Sequence, residues 1–527
     1  MTSISKNNKR IVQNTLFLYI RTLVIMVITL YTSRVILNIL GVTDYGIYNI
    51  VGGAIMMFSV LSSSFSSAIS RFIMFELGKK HPQRLNLIFS TSVNIQLVIS
   101  LVTLLLGETV GIWFLNYEMN IPPERMEAAN WVLHCSLIAF AISLISIPYN
   151  ASIIAHEKMK VFAYISILEA TLKLLIVYML YISPFDKLST YAVMLTTVAI
   201  IIRLTYGIYC KRRFEECNYH FVYNKAIVRE MGGFAGWSSL SNATYMINTQ
   251  GINILINIFF GVTLNAARGI AIQVENAVLQ LVNNFTTAIN PQITKSYASG
   301  DIDYMTTLIC RGAKYSCLLL LFFVIPFVLE TDTILRIWLK EVPEYTSAFL
   351  KLLMISTFLD TLGKTTNTAV AATGRIKHYQ IWVTFVGCQT FLLTWIAFKL
   401  GCPAISTYII YIGIYFILIF VRICCLRRQV CFSTIAFVKQ VLYKLLIVSI
   451  SAFLFPFIIV HYMEPSFLRL IITCIISTIA TCYSIYLFGL EKQEKKFLTE
   501  KIKTYMQKII SKEKSISNPA NEYKQNT

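Results

Sequence analysis

Runs of about twenty or more apolar residues recur from one end of the chain to the other, and each is long enough for a helix to cross a bilayer core. The pattern predicts about fourteen spans, over 12–39, 45–76, 85–116, 126–155, 160–182, 188–211, 229–260, 264–297, 303–328, 345–372, 376–399, 403–426, 438–461 and 466–489. The first run follows a short basic stretch (Lys6, Lys9, Arg10) but is too long for a signal-peptide core, so it is expected to be a retained first helix. The connecting segments alternate in charge. Those at 77–84, 156–160, 211–229, 374–378 and 422–428 are basic, whereas 117–127, 329–344 and 462–465 are acidic or nearly neutral. Positive loops stay in the cytoplasm, which predicts cytoplasmic termini and an even number of spans.

Within the apolar runs the polar positions are ordered. Span 7 carries Asn242, Tyr245, Thr249, Asn253 and Asn257, and span 8 carries Gln273, Asn276, Gln280, Asn283 and Thr287, at spacings of three and four that draw one stripe along each helix. Span 2 has a serine stripe (Ser59, Ser62, Ser63, Ser66, Ser70), and span 10 has Thr357, Thr361, Thr365 and Thr368. Small hydroxyl stripes also serve helix–helix packing. The long amide stripes predict the wall of a hydrated cavity, because amides facing lipid are costly.

Composition then excludes other classes. The chain has 527 residues, 56% hydrophobic and 14% charged, well below the roughly 25% charged of soluble domains. The formal net charge of +20 sits in short loops and in the tail, which reads as membrane orientation and leaves no nucleic-acid partner. Twelve cysteines are scattered without a CxxC pair, which predicts neither a zinc site nor a disulfide framework. There is no Walker loop, GxSxG elbow or HExxH, so no enzyme activity, metal or cofactor is expected. The segment 491–527 is basic, with Phe497, Leu498, Ile502, Tyr505, Met506 and Ile509 on one helical face. It predicts an interfacial helix on anionic lipid, disordered from Ser515.

Internal repeats organise the spans. Gly41-Val42-Thr43 recurs as Gly261-Val262-Thr263, and FSSAIS from Phe65 recurs as FTTAIN from Phe285 at the same offset. YNASIIAHEKMK (149–160) parallels TNTAVAATGRIK (366–377). The chain therefore divides into an N-lobe over 1–215, a C-lobe over 216–430, two extra helices over 431–490 and the tail. Six spans per lobe give both lobes one orientation, with a site expected between them, as in parallel-repeat transporters.

Charges inside spans are the candidate site. Glu169 and Lys173, and likewise Asp360 and Lys364, lie four apart and are expected to neutralise each other in pairs. Arg21 and Arg203 are well inside their spans, whereas Arg34, Arg71 and Arg268 lie nearer the ends. Arg268 and Glu275 fall two turns apart on one side of span 8. Such cations suit a phosphate or diphosphate. Glu108 is the one unpaired acid of the first lobe, and His134 reads as a core histidine without a role.

The residues SRVILNILGVTDYG (33–46), followed by a serine-rich span ending near Arg71, resemble the start of bacterial polysaccharide-biosynthesis flippases of the multidrug/oligosaccharidyl-lipid/polysaccharide (MOP) exporter superfamily. The resemblance implies an all-α, V-shaped, two-lobe MATE-like fold in the bacterial inner membrane. It also implies alternating access for an undecaprenyl-diphosphate-linked oligosaccharide used for O-antigen, capsule or exopolysaccharide, beside glycosyltransferases and a polymerase. The positions matching its motif arginines are Arg34 and Arg71, and Ile254 and Pro291 stand where these would repeat. The expected substrate-binding set is thus Arg21, Arg34, Arg71, Lys173, Arg268, Lys364, Asn253 and Gln280. Glu169, Glu275 and Asp360 are expected in ion coupling or charge pairs. Two other readings compete with this one: a cation-coupled multidrug antiporter, which needs an unpaired acid, and a membrane glycosyltransferase or polymerase, which needs a large outer loop.

Overall fold

The computed structural model describes residues 3–496 except 57, 118–120, 261, 340–341, 431 and 492–493. The side chains of 3–9 and of several positions within 30–61 and 257–266, Arg34 among them, lie outside that description. The amphipathic tail expected after 496 lies outside it too. Among the described residues all regular structure is helical, because apolar runs in lipid must satisfy every backbone group within the segment.

The helices of the first half are α1 (Ser3–Met56), α2 (Ser59–Lys79), α3 (Pro82–Leu106), α4 (Ile112–Tyr117), α5 (Met126–Ala155), α6 (Met159–Ile182) and α7 (Lys187–Arg213). The second half has α8 (Lys225–Met246), α9 (Ile252–Phe260), α10 (Val262–Ala298), α11 (Ile302–Trp338), α12 (Thr346–Thr361), α13 (Lys364–Thr373), α14 (Lys377–Lys399) and α15 (Ser406–Gln429). There follow α16 (Thr434–Phe437), α17 (Tyr443–Tyr462) and α18 (Phe467–Ser484). Among the described residues, ten helices are long and apolar enough to cross a membrane. The four expected spans that miss this mark are 45–76, 229–260, 264–297 and 345–372, the same four whose polar stripes dilute their hydropathy.

Three boundaries depart from expectation. The loop expected near 40–44 is a kink inside α1, where Gly41 takes φ +78°, a left-handed angle that glycine tolerates. Expected span 345–372 is broken at Leu362 and Gly363 into α12 and α13. The acidic loop expected at 329–344 is mostly helix: α11 runs on to Trp338 through a kink at Glu330.

The chain forms two compact units. One holds 1–320 and 341–435, which takes in the first repeat half and all of the second except 321–340; the other holds 321–340 and 436–527. In the first unit, α5 packs on α7 and α3, and α1 on α6, around a core that includes Phe89, Tyr149, Val177 and Leu180. In the second unit, Glu330 is buried and takes Arg469 Nε at 2.7 Å and Nη2 at 2.9 Å, with Thr473 and Thr333 adding hydroxyls. This pair explains why Glu330 is not in a loop: a buried carboxylate needs such a full set of donors.

The segment joining the two halves is strapped along α3. Asn86 Nδ2 donates to the Glu216 and Asn218 carbonyls, His220 N–H donates to Ser90 Oγ, and Asn94 Nδ2 donates to the Val222 carbonyl. The polar residues of α3 recur every four and their partners every two. Four helical residues rise about 6 Å and two extended ones about 6.6 Å, so the ladder stays in register.

Candidate functional site

Both lobes enclose a polar cavity within the first unit. In the N-lobe a cavity of about 380 Å³ is lined by Arg21, Thr29, Tyr48, Ser166, Glu169 and Lys173. Lys173 donates to Glu169 at 2.6 Å, one helical turn away on α6. Arg21 stands outside that pair: its guanidinium lies 4.5 Å over the Phe162 ring, and its buried Nε has no hydrogen-bond partner among the described residues. Two cations against one carboxylate leave the cavity with a surplus positive charge.

In the C-lobe a cavity of about 250 Å³ is bounded by α8, α10, α12, α14 and α15. Two irregularities of the helices build it. A wide π-helical turn at Ile247–Gly251 presents the Asn248 and Thr249 carbonyls, which accept from Arg268 Nη2 at 3.5 and 3.3 Å. Turns of this kind collect at functional sites. The second is the α12–α13 break. Discontinuous helices form the ligand sites of many transporters. Here the break lets Arg422 of α15 lie over Gly363, where a Cβ would stand 2.0 Å from Arg422 Nη1. Arg422 Nη2 donates to Asp360 Oδ1 at 2.9 Å and Nη1 to the Asp360 carbonyl at 3.2 Å.

These contacts correct the charge pairing expected from spacing. Asp360 pairs with Arg422, not with Lys364, because the break at Leu362–Gly363 destroys the helical i,i+4 geometry. Lys364 instead donates to Asn283 Oδ1 of α10 at 2.8 Å. Arg268 is buried, donating from Nε to Asn253 at 2.6 Å and from Nη1 to Tyr408 at 3.2 Å. Glu275 lines the same cavity, where Thr357 donates to it at 2.5 Å. Gln280 is exposed on α10 in neither cavity, together with Gln273, Asn276 and Asn283 of the same amide stripe.

Glu108 is not unpaired. It lies 2.8 Å from His134 Nδ1, across a wide turn at Gly107–Gly111, and both side chains are over a third exposed, so His134 is not a core residue. Helix α3 approaches α5 closely here because Gly107 has no side chain; a Cβ would meet Leu137 at 2.3 Å.

Arg71 lines neither cavity. Its Nε and Nη2 donate to the Ala371 and Ala372 carbonyls at 3.1 Å each, capping the C-terminus of α13, and Phe72 and Phe75 wall its guanidinium at 4.6 Å. A second contact joins the halves at the same basic-loop end. Buried Glu157 accepts from Lys295 at 2.7 Å and Gln292 at 2.6 Å, with Arg10 at 3.3 Å. Deeper in, Asn284 donates to Thr22 at 2.6 Å and Asn242 donates to Ser64 at 2.7 Å. Spacing alone gave no sign of Glu157, Arg422 or Tyr411 as site residues, since their partners are more than 100 or about 60 residues away.

No family model matches the chain. A curated relative is an uncharacterized membrane protein, EpsK, of Bacillus subtilis (strain 168), 19% identical over 294 residues. The match covers 56% of this chain and spans 58% of that relative's length. Solved structures share the fold across most of the chain. An outward-facing multidrug resistance MATE family transporter of the MOP superfamily aligns with TM-score 0.69 at 13% identity, covering 82% of this chain and 97% of that one. A MOP superfamily transporter from Pyrococcus furiosus, with a binding pocket of reverse polarity, aligns with TM-score 0.69 at 14% identity over 82% and 96%. A MATE in the straight conformation aligns with TM-score 0.70 at 14% identity over 82% and 97%. The chain is thus similar to MOP superfamily transporters in fold, as a multi-pass, all-helical membrane protein.

Proposed function

We propose that the protein is a flippase that moves a lipid-diphosphate-linked oligosaccharide from the cytoplasmic to the outer leaflet of a bacterial inner membrane. The observation that carries this reading is Arg21. An arginine deep in a lobe cavity, with an unpartnered Nε and a self-neutralised Glu169–Lys173 pair beside it, is an anion site, since intramembrane cations persist only where a ligand or partner repays their cost. Guanidinium groups match phosphate oxygens in geometry as well as charge. The exposed amide stripe of α10 supplies hydrogen-bonding groups for the glycan. In this reading the contacts of Arg71 and Glu157 close the basic-loop, cytoplasmic end, and alternating access requires them to part. The substrate is made by membrane-associated glycosyltransferases on one side and consumed by a polymerase on the other.

One observation favours the second reading, a cation-coupled antiporter: Glu275 has the Thr357 hydroxyl as its partner and no ion pair among the described residues. A deletion strain separates the two. The flippase reading expects loss of surface polysaccharide, restored by the wild-type gene but at least tenfold less well by Arg21→Ala or Lys173→Ala, with drug susceptibility unchanged. Polysaccharide of normal amount and length in the deletion strain would sink it.

A further inference from the structure

We propose that the C-lobe cavity binds a single neutral pyranose residue, a reading that rests on the flippase assignment and adds to it a glycan-recognition site apart from the anion site of the N-lobe. Three buried polar atoms on its wall lack hydrogen-bond partners among the described residues: Asn248 Oδ1, Thr384 Oγ1 and Arg422 Nε. The Asn248 amide is oriented by its own Nδ2, which donates to the Gly387 carbonyl at 3.0 Å, so the free atom is the acceptor. A buried polar atom left without a partner forfeits the hydrogen bond it had in water. Three around one cavity therefore describe the ligand that satisfies them.

Their chemistry narrows the class. Asn248 Oδ1 can only accept, Arg422 Nε–H can only donate, and a threonine hydroxyl does both. A bare cation would serve Asn248 and be repelled by Arg422. A phosphate would serve Arg422 and leave Asn248 facing an oxygen. The fixed charges on the wall balance, Arg268 and Arg422 against Glu275 and Asp360, so its lining carries no net charge to favour an ion of either sign. A ring of hydroxyls donates and accepts at adjacent positions and satisfies all three. The rest of the wall agrees. Tyr411 and Tyr415 are stacked with centroids 5.8 Å apart, and Tyr245 is also on the wall, giving aromatic surface for the C–H faces of a sugar. The volume of about 250 Å³ suits one ring, not an oligosaccharide. The groups are also held in place: Tyr411 donates to the Asn248 carbonyl at 2.8 Å, and Asp360 holds Arg422.

The test uses the purified full-length protein in nanodiscs with five probes: the methyl glycosides of glucose, galactose, mannose, N-acetylglucosamine and N-acetylgalactosamine. Saturation-transfer NMR is expected to show at least one of them bound, with the signal falling at least fivefold in both Asn248→Leu and Thr384→Val. Thr384→Val keeps the side-chain shape, so unchanged thermal unfolding of that variant excludes misfolding as the cause. Arg21→Ala, in the other lobe, is expected to leave glycoside binding intact. If none of the five glycosides binds above the level of the variants, or if sodium chloride or inorganic phosphate raises the unfolding temperature of the wild type but not of the two variants, the proposal is overturned. Complementation separates this failure from that of the underlying assignment. If Asn248→Leu and Thr384→Val restore polysaccharide fully to the deletion strain, the sugar site falls and the flippase stands. Polysaccharide in the deletion strain itself removes both.

Discussion

Asp186 shows how much one side chain outside the spans can hold. It caps α7, accepting from the Ser189 N–H at 2.9 Å, and takes Arg125 Nη1 at 2.8 Å, while Arg125 also binds Asp44 of α1. Burial pushes its carboxyl up, but the Ser189 N–H and the Arg125 guanidinium outweigh burial and leave it below its usual range. A carboxyl depressed in the folded state stabilises above its unfolded pKa of about 3.9, and that contribution is lost as the pH falls through the folded value. Asp186→Ala is therefore expected to lower stability by about 1 kcal/mol at neutral pH. The deficit should shrink below about pH 4, which thermal unfolding of the solubilised protein at several pH values would show; a pH-independent deficit would show that neither contact stabilises through the charge of the carboxylate. At this scale the sequence was informative about residue types and silent about partners. The pair at Glu169 and Lys173 could be read from spacing because both sit on unbroken helix. The partner of Glu108 could not, since the wide turn that aims it at His134 leaves no mark in the hydropathy pattern.

Among the elements, the broken helix α12–α13 determines the most. Its threonine stripe was legible, but the break was not, because an isolated glycine is tolerated inside a continuous helical pattern. Position 363 has an ordinary φ of −89°, so glycine is needed there for space, under Arg422, and not for backbone freedom. Gly363→Ala is expected to displace the guanidinium and open the Asp360–Arg422 pair, reducing complementation at least tenfold while the protein still reaches the membrane. Wild-type polysaccharide levels in this variant would show that the pair is dispensable. Ten of the expected spans are apolar enough to be legible among the described residues; of the four more polar ones, 229–260 and 264–297 carry Asn242 and Asn284, whose amides reach Ser64 and Thr22 of the other half.

For the whole molecule, one polar cavity is lined by residues of 1–215 and another by residues of 216–430, and the sequence repeat carries no information about the state in which the two halves are captured. The contacts of Arg71 and Glu157 join the halves at the basic-loop end. Hydrogen bonds to charged groups contribute about 1.5–3 kcal/mol each. A few of them amount to the ~5.5 kcal/mol that separates a population of 1:99 from 99:1, so a bound substrate could overturn them. Arg71→Ala with Glu157→Gln is expected to widen the distance between spin labels at Lys80 and Lys377, measured by pulsed electron resonance; an unchanged distribution would show that other contacts hold this end. The strap along α3 sets a further condition. Because Asn86, Ser90 and Asn94 grip the connecting segment at every second residue, that segment belongs structurally to the first half even though it leads into the second. If such a chain arose by doubling of a six-helix ancestor, the join was more than a convenience of expression. Two separately made halves would lose the local concentration that a gripped connector imposes. A cut made after Asn224 would leave the grip with the first fragment, and one made before Glu215 would strand the connector on the second.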